Sequence, residues 1–207
     1  MKIWMLRHGQ TDWNVLRKVQ GSSDIPLNDV GRAMAEESGQ ALAQIDFAYI
    51  FSSPLVRAKE TAEYAAKYQD VEIILADELR EIHFAGYEGI TEAELDERGI
   101  HFHDMFFTHP ETFKPAEGGE TLEDTIERAG RFLKTYIEPM KEDVEHVLLV
   151  AHGEILHAML AYMFKRPTSQ LWGDGRTQNC EVHIVEWKDQ QYHLIEEAKM
   201  IQKGEKL

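Results

Sequence analysis

The sequence predicts an α/β fold: a three-layer α/β/α sandwich with a mostly parallel central sheet and an inserted lid segment. Two observations predict the sandwich. Short apolar runs such as KIWML read as buried strands, and they alternate with longer helical patterns. Strand–helix alternation of this kind builds a parallel sheet whose two faces are both covered by helices. A third observation predicts the insertion. Residues 84–119 break the rhythm; they are irregular and aromatic, with Tyr87, Phe102, Phe106, Phe107 and Phe113. Long segments of this kind often serve as lids; the plainer reading is a partly helical excursion with its own small core.

The elements follow in order. Residues 2–6 form the first strand. Asn28 or Asp29 can cap a helix reaching about residue 44. Residues 47–51 (FAYIF) are a second strand. Ser53 then reads as an N-cap with Pro54 at the first helical position, opening a helix to about residue 68. Residues 71–75 are a third strand, and Thr121 with Asp124 forms a capping box for a helix to about residue 140. Residues 146–151 (HVLLVA) are a fourth strand, followed by an apolar helix over 154–164. Residues 180–187 and 191–196 close the chain as a hairpin around Lys188, Asp189 and Gln190.

At 207 residues, with 43% hydrophobic and 10% aromatic residues, the chain can bury a substantial core as one domain, 1–207. Its one cysteine, Cys180, excludes an internal disulfide and a cysteine-based zinc site, and reads as a buried structural thiol. The apolar run before Arg7 is too short for a secretory signal, and no run approaches the roughly 18 apolar residues of a membrane span. A cytoplasmic location is therefore expected. The formal net charge of −15 opposes binding to nucleic acid or to an anionic membrane. An anionic substrate would need positive charge concentrated in a pocket.

The strand ends supply it. In open α/β sheets ligands bind at the carboxyl ends of the strands. After the first strand come Arg7, His8, Gly9, Gln10, Thr11 and Asn14. After the second come Ser52, Ser53 and Arg57; after the third Arg80, Glu81 and His83; after the fourth His152 and Gly153. Guanidinium forks match phosphate oxygens two at a time, and a neutral histidine can attack phosphorus through a free ring nitrogen. Helix starts at Gly9–Thr11 and at Gly153 and Glu154 could add backbone N–H groups, and a nearby carboxylic acid can protonate the leaving oxygen.

Four blocks, LRHGQTDWN, SSPLVRAKETA, LREIHFAGYEG and VAHG, resemble the histidine phosphatase superfamily, the phosphoglycerate mutase-like family, over about residues 2–187. They look most like its bacterial broad-specificity phosphatases, with α-ribazole phosphatases as close relatives. The resemblance implies that His8 becomes a phosphohistidine, that Arg7, Arg57 and His152 hold the phosphoryl oxygens, and that Glu81 is the proton donor and later the base toward water. It places Thr11 and Asn14 along the substrate pocket, with Gln20, Gly21 and Gly153 close by, and leaves Glu60 and Thr61 to helix structure. It implies no metal and no cofactor, fixed cations standing where a magnesium ion would.

Within that resemblance the reaction stays open. Mutases of the family carry a longer insertion with basic residues for the substrate carboxylate, and a C-terminal tail. Between residues 84 and 119 the only basic residues are Arg98 and Lys114, and the tail MIQKGEKL (200–207) is short. An acidic, aromatic insertion suits an organic or aromatic phosphoester better than a small carboxylate-bearing phosphate. The expected function is therefore phosphomonoester hydrolysis on a small organic phosphate. A cofactor-dependent phosphoglycerate mutase and a non-catalytic phospho-ligand module are the alternatives. His101 and His103, with His109, Asp104 and His83, have a spacing that metals can use, or simply shape the substrate mouth. Trp13 and Trp172 could reach the pocket mouth, Trp4 and Trp187 belonging to the core. The hairpin edge over 180–196 could pair across a homodimer.

Overall fold

The computed structural model describes residues 1–173 and 175–201; the expected C-terminal tail beyond 201 lies outside them. Strands β1 (Lys2–Arg7), β2 (Tyr49–Ser52), β3 (Ile73–Leu75), β4 (His146–Ala151), β5 (Glu181–Lys188) and β6 (Gln191–Met200) form one sheet in the order β3-β2-β4-β1-β5-β6. β3, β2, β4 and β1 run parallel; β5 is antiparallel to β1, and β6 to β5. The helices are α1 (Asp12–Val15), α2 (Asp29–Leu42), α3 (Val56–Ala66), α4 (Glu92–Glu97), α5 (Leu122–Phe132), which a wider turn carries on to Ile137, and α6 (Gly153–Phe164).

Period-2 alternation in the central strands divides the core into two layers. Ile3, Met5, Val147, Leu149 and Ala151 face α5 and α6, packing on Phe132, Ile155 and Met159. Trp4, Leu6, Leu148 and Val150 face α2 and α3, packing on Leu42, Ala58 and Ala62. Helices on both faces explain why these strands are continuously apolar. The three-layer sandwich is as expected, and the sheet is parallel except for its closing hairpin.

Element ends differ from expectation mostly by the one to four residues over which ends fray. One start differs in kind. Ser53 and Pro54 do not open α3: the helix begins at Val56, and its Leu55 cap makes no side-chain hydrogen bond. The orphan N–H of Val56 is taken instead by Asp24 Oδ1 at 2.6 Å, a cap from 32 residues away. Ser53 Oγ accepts from Leu55 N at 3.3 Å rather than from the helix, and also faces the site described below. The hairpin turns at Asp189 and Gln190, with φ of 52° and 57°, so both turn residues are left-handed.

The 84–119 segment contains α4 and several short turns over a third apolar cluster, in which Phe84, Phe102 and Phe106 pack with Leu122, Leu171 and Trp172. It has the small core expected of a partly helical excursion, and Phe84, Phe102 and Phe106 of that core line the cavity described below.

Candidate active site

The four parallel strands bring Arg7, His8, Ser52, Ser53 and His152 to one end of the sheet. His8 N donates to Ala151 O and Ser53 N to Val150 O, so the β1 and β2 exits are both tied to β4. Gly9 is a close-approach residue: a Cβ there would sit 2.4 Å from Gly31 O, so the turn after His8 can press against α2 only as glycine.

His8 is 2% exposed, and its Nδ1 lies 2.7 Å from Gly9 O. A carbonyl can only accept, so Nδ1 carries the proton and Nε2 keeps its lone pair. Burial first, then the charges of Arg57 and Arg7, holds the imidazole well below its ordinary pKa. The ring is therefore neutral at physiological pH, with an available lone pair on Nε2. Asn179 Nδ2 donates to His8 O and Gly9 O at 2.9 and 3.2 Å and fixes the loop from the far side.

His152 stands beside it, ring centroids 5.1 Å apart. Arg57 Nε donates to His152 Nδ1 at 3.1 Å, so the remaining proton sits on Nε2, 2.8 Å from Ser53 Oγ. Burial, then Arg57, depresses this ring as well. Arg57 is fully buried; its Nη1 and Nη2 donate to Ser23 O and Gly21 O, each at 2.7 Å. Burial lowers its pKa to about 10, which leaves it a cation at neutral pH. Gly21 has φ +54°, and a Cβ there would meet Glu88 Oε1 at 2.4 Å, so only glycine presents that carbonyl to Arg57.

Arg7 Nη1 donates to Thr177 O, while its buried Nε has no partner among the described residues. A buried, unpaired guanidinium N–H calls for an anion. Thr177 is itself fixed. His183 Nδ1 accepts from Ala198 N, so its Nε2–H donates to Thr177 Oγ1 at 2.6 Å, and Thr177 Oγ1 donates to His157 Nε2 at 3.0 Å. Burial pushes His157 and His183 down to about 3 and about 4, which keeps this chain neutral.

Glu81 closes the site. Its Oε1 accepts from Ile82 N and Ile155 N, each at 3.1 Å, and its Oε2 from Glu154 N at 3.2 Å. Gly153 fits between: a Cβ there would lie 3.6 Å from Arg7 Nε and 4.0 Å from Glu81 Oε2. Glu154 is a second carboxyl, 2% exposed. Thr125 Oγ1 lies 2.8 Å from Leu122 O and 2.6 Å from Glu154 Oε1. Thr125 Oγ1 donates to Glu154 Oε1, while Glu154 Oε2 is buried with no partner among the described residues. Burial, reinforced by Glu81, pushes Glu154 up to about 8 against the opposing Thr125 hydrogen bond.

The structure brings most of the expected residues together, with corrections. The helix-start amides of α6 at Glu154 and Ile155 serve Glu81, and Gly9 N donates to Thr61 Oγ1, so these three are not open to a ligand. Arg80 points away and pairs with Asp77 at 2.8 Å; His83 Nδ1 lies 2.6 Å from Ser22 Oγ and 3.1 Å from Glu88. Thr11 is fully buried and caps α1, its Oγ1 3.0 Å from Gln20 Oε1, and so braces Asn14 and Gln20. Glu60, left to helix structure, also takes Leu27 N at 3.0 Å. His101, His103 and His109 pair with separate carboxylates, and the described residues hold no cluster suited to a metal ion. Cys180 is buried, its thiol pushed up to about 11 by that burial. No helix among the described residues is long and apolar enough to cross a membrane.

Beside Arg7, Glu81 and Gly153 opens a cavity of about 580 Å³ whose wall includes Asn14, Gln20, Gly21 and Glu154. Its further wall is aromatic: Trp13, Phe84, Phe102, Phe106, Phe107 and Trp172. The acidic insertion reads as unsuited to a carboxylate-bearing phosphate, on the basic residues of the insertion alone. The structure corrects this: Arg17, Lys18 and Arg176, all from outside the insertion, line the same wall. The sequence reading also missed Glu154, Asn179 and Thr177. A carboxyl directly after HG was the available signal for Glu154; Asn179 and Thr177 carried none, because only the return of β5 beside β1 brings them in.

The family model of the histidine phosphatase superfamily (branch 1) matches residues 3–198, and the chain belongs to that superfamily. PhoE of Bacillus subtilis (strain 168), described as an uncharacterized phosphatase, is 35% identical over 158 residues, 76% of this chain and 75% of that protein. A 2,3-bisphosphoglycerate-dependent phosphoglycerate mutase 2 of Gloeobacter violaceus is also 35% identical, over 75% of this chain and 72% of its own. The solved structure of Bacillus stearothermophilus YhfR superposes with a TM-score of 0.88 at 31% identity, covering 96% of this chain and 97% of that one.

Proposed function

We propose that this member of the histidine phosphatase superfamily is a metal-independent phosphomonoesterase acting through a phosphohistidine. One observation carries the reading: His8 has its proton held on Nδ1 by Gly9 O, which leaves a neutral Nε2 beside two cations, half-buried Arg7 and buried Arg57. The ester phosphoryl group sits against Arg7 Nε and the free N–H groups of Arg57. His8 Nε2 attacks phosphorus in line, and the P–O bond to the leaving group breaks. Glu81 gives its proton to the departing oxygen. Glu81, now a carboxylate, takes a proton from water; that water attacks phosphorus, the P–N bond breaks, and inorganic phosphate leaves. His152 stays neutral and holds Arg57, while the fixed cations balance the charge that spreads over the phosphoryl oxygens.

The test is hydrolysis of p-nitrophenyl phosphate in EDTA, with 32P-labelled enzyme trapped by a rapid quench. Metal-free turnover with acid-labile label that His8→Ala abolishes is the expected result. Isomerisation of 3-phosphoglycerate without hydrolysis would instead favour the mutase reading, which a 35%-identical relative of that name keeps in view. Cytoplasmic residence and homodimerisation across the outer edge of β6 remain part of this proposal; fractionation and sedimentation test them.

A further inference from the structure

The cavity holds more than a phosphate needs. About 580 Å³ falls in the range that accepts a drug-sized ligand, roughly 300–1,000 Å³, so most of it is left for the group the phosphate is attached to. Two features of that space have a chemistry of their own. One side is aromatic, with Trp13, Phe102, Phe107 and Trp172 presenting ring surface. The other feature is charge. Arg17, Lys18 and Arg176 converge on the same wall from two distant parts of the chain. None of the three has a carboxylate within 4.0 Å among the described residues, a trait shared with other cations of the chain such as Lys2, Arg131 and Lys188; what sets these three apart is that they line one cavity. Unpaired cations gathered on one wall are unexpected in a chain of net charge −15.

They are also placed. The Arg176 guanidinium lies 3.7 Å from the Phe107 ring centroid, and Lys18 Nζ 5.7 Å from that of Trp13. Stacking holds a guanidinium in position yet leaves its N–H edge free for an oxyanion. The one carboxylate in this part of the wall, Glu92, lies 3.1 Å from His103 Nδ1.

We propose that the natural substrate is a phosphomonoester whose leaving group carries an apolar, ring-sized portion and, beyond it, a second negative charge held by Arg17, Lys18 and Arg176. This rests on the phosphomonoesterase reading for the phosphate end, and names the class of ester. The ring lies against the aromatic wall, and the second anion reaches the cations at the mouth. A small phosphate such as 3-phosphoglycerate would leave most of the cavity to water.

Two non-cleavable ligands test this without turnover: 4-(carboxymethyl)benzylphosphonate and the neutral match 4-ethylbenzylphosphonate, each titrated calorimetrically into the full chain. The carboxylate ligand should bind at least about tenfold more tightly, and 0.5 M salt should shrink the gap. In the Arg17→Gln/Lys18→Gln/Arg176→Gln variant the ratio should fall to within about twofold, and the single variant Arg176→Gln should give an intermediate ratio. Equal binding of the two ligands to the wild type, a preference that survives the triple variant, or binding of neither ligand would overturn the proposal. Hydrolysis of p-nitrophenyl phosphate, measured on the same preparation, reports separately on the phosphatase reading: a carboxylate preference without hydrolysis would retain the second-anion site and reject the activity.

Discussion

The two ends of the cavity are built differently. Beside the phosphate end, behind Arg7, Glu81 and Gly153, His8, Arg57 and His152 are buried; Arg57 is tied to Gly21 O, Ser23 O and His152, and His8 Nδ1 to Gly9 O, which leaves His8 Nε2 uncommitted. At the far end, Arg17 and Arg176 are exposed, and the wall comes from short turns and an aromatic cluster. The difference teaches where each property resides. Groups at parallel strand ends are over-determined by the sheet, which suits a reaction that tolerates no slack. Groups on irregular segments can change without disturbing the sheet, which suits discrimination among leaving groups.

The comparison predicts a ranking of effects, and each can be checked. His8→Ala should lower p-nitrophenyl phosphate turnover by at least about 10⁴-fold while leaving circular dichroism unchanged, since the nucleophile has no substitute. Arg57→Met should damage activity and fold together. It removes a phosphoryl clamp and orphans Gly21 O, Ser23 O and His152 Nδ1, at about 1–3 kcal/mol for each buried group left unsatisfied. Urea denaturation should reveal this loss; an unchanged midpoint would mean that the phosphate end is less tightly built than argued.

Two pH effects separate the buried groups. Glu154 has its folded pKa raised to about 8, so its stabilising contribution is full below the ordinary carboxylate value and is lost as pH rises through about 8. Ionisation there also places a negative charge beside Glu81. The wild type should therefore lose stability between about pH 4.5 and pH 8, and lose kcat/KM as Glu154 ionises through about pH 8; Glu154→Gln should flatten both. His157 and His183 have folded pKa values depressed to about 3 and about 4, so they contribute stability above the ordinary imidazole value that is lost as pH falls toward those values. The urea midpoint should drop between pH 6.5 and pH 4, at about 1.4 kcal/mol per pH unit for each histidine. The smallest effect belongs to the borrowed cap: Asp24→Ala should cost about 0.5–2 kcal/mol in urea denaturation and leave α3 in place.

Much of this was legible in the linear chain. Strand order of appearance, the cluster at the strand ends and the roles expected of Arg7, His8, Arg57, Glu81 and His152 follow from periodicity, from the ligand-binding end of parallel sheets and from the family resemblance. Ser53 was misread because Ser-Pro is a strong local cap signal; Asp24, from another loop, occupies the cap, while the Ser53 hydroxyl meets Leu55 N and His152. The mouth's fit to a carboxylate was misread because only the basic residues of the insertion were weighed.

The sequence by itself determined the α/β class, the alternation of faces and the chemical inventory, because these depend on local periodicity and on residue type. Only the tertiary structure decided which nitrogen of His8 carries the proton, that Glu154 is a buried second carboxyl whose pKa is pushed up beside Glu81, and that Arg17, Lys18 and Arg176 line one cavity. The last two depend on partners far away in the chain, Thr125 for Glu154 and Phe107 for Arg176, which meet only once the layers have closed, while the His8 ring meets the neighbouring Gly9 carbonyl only in the folded turn.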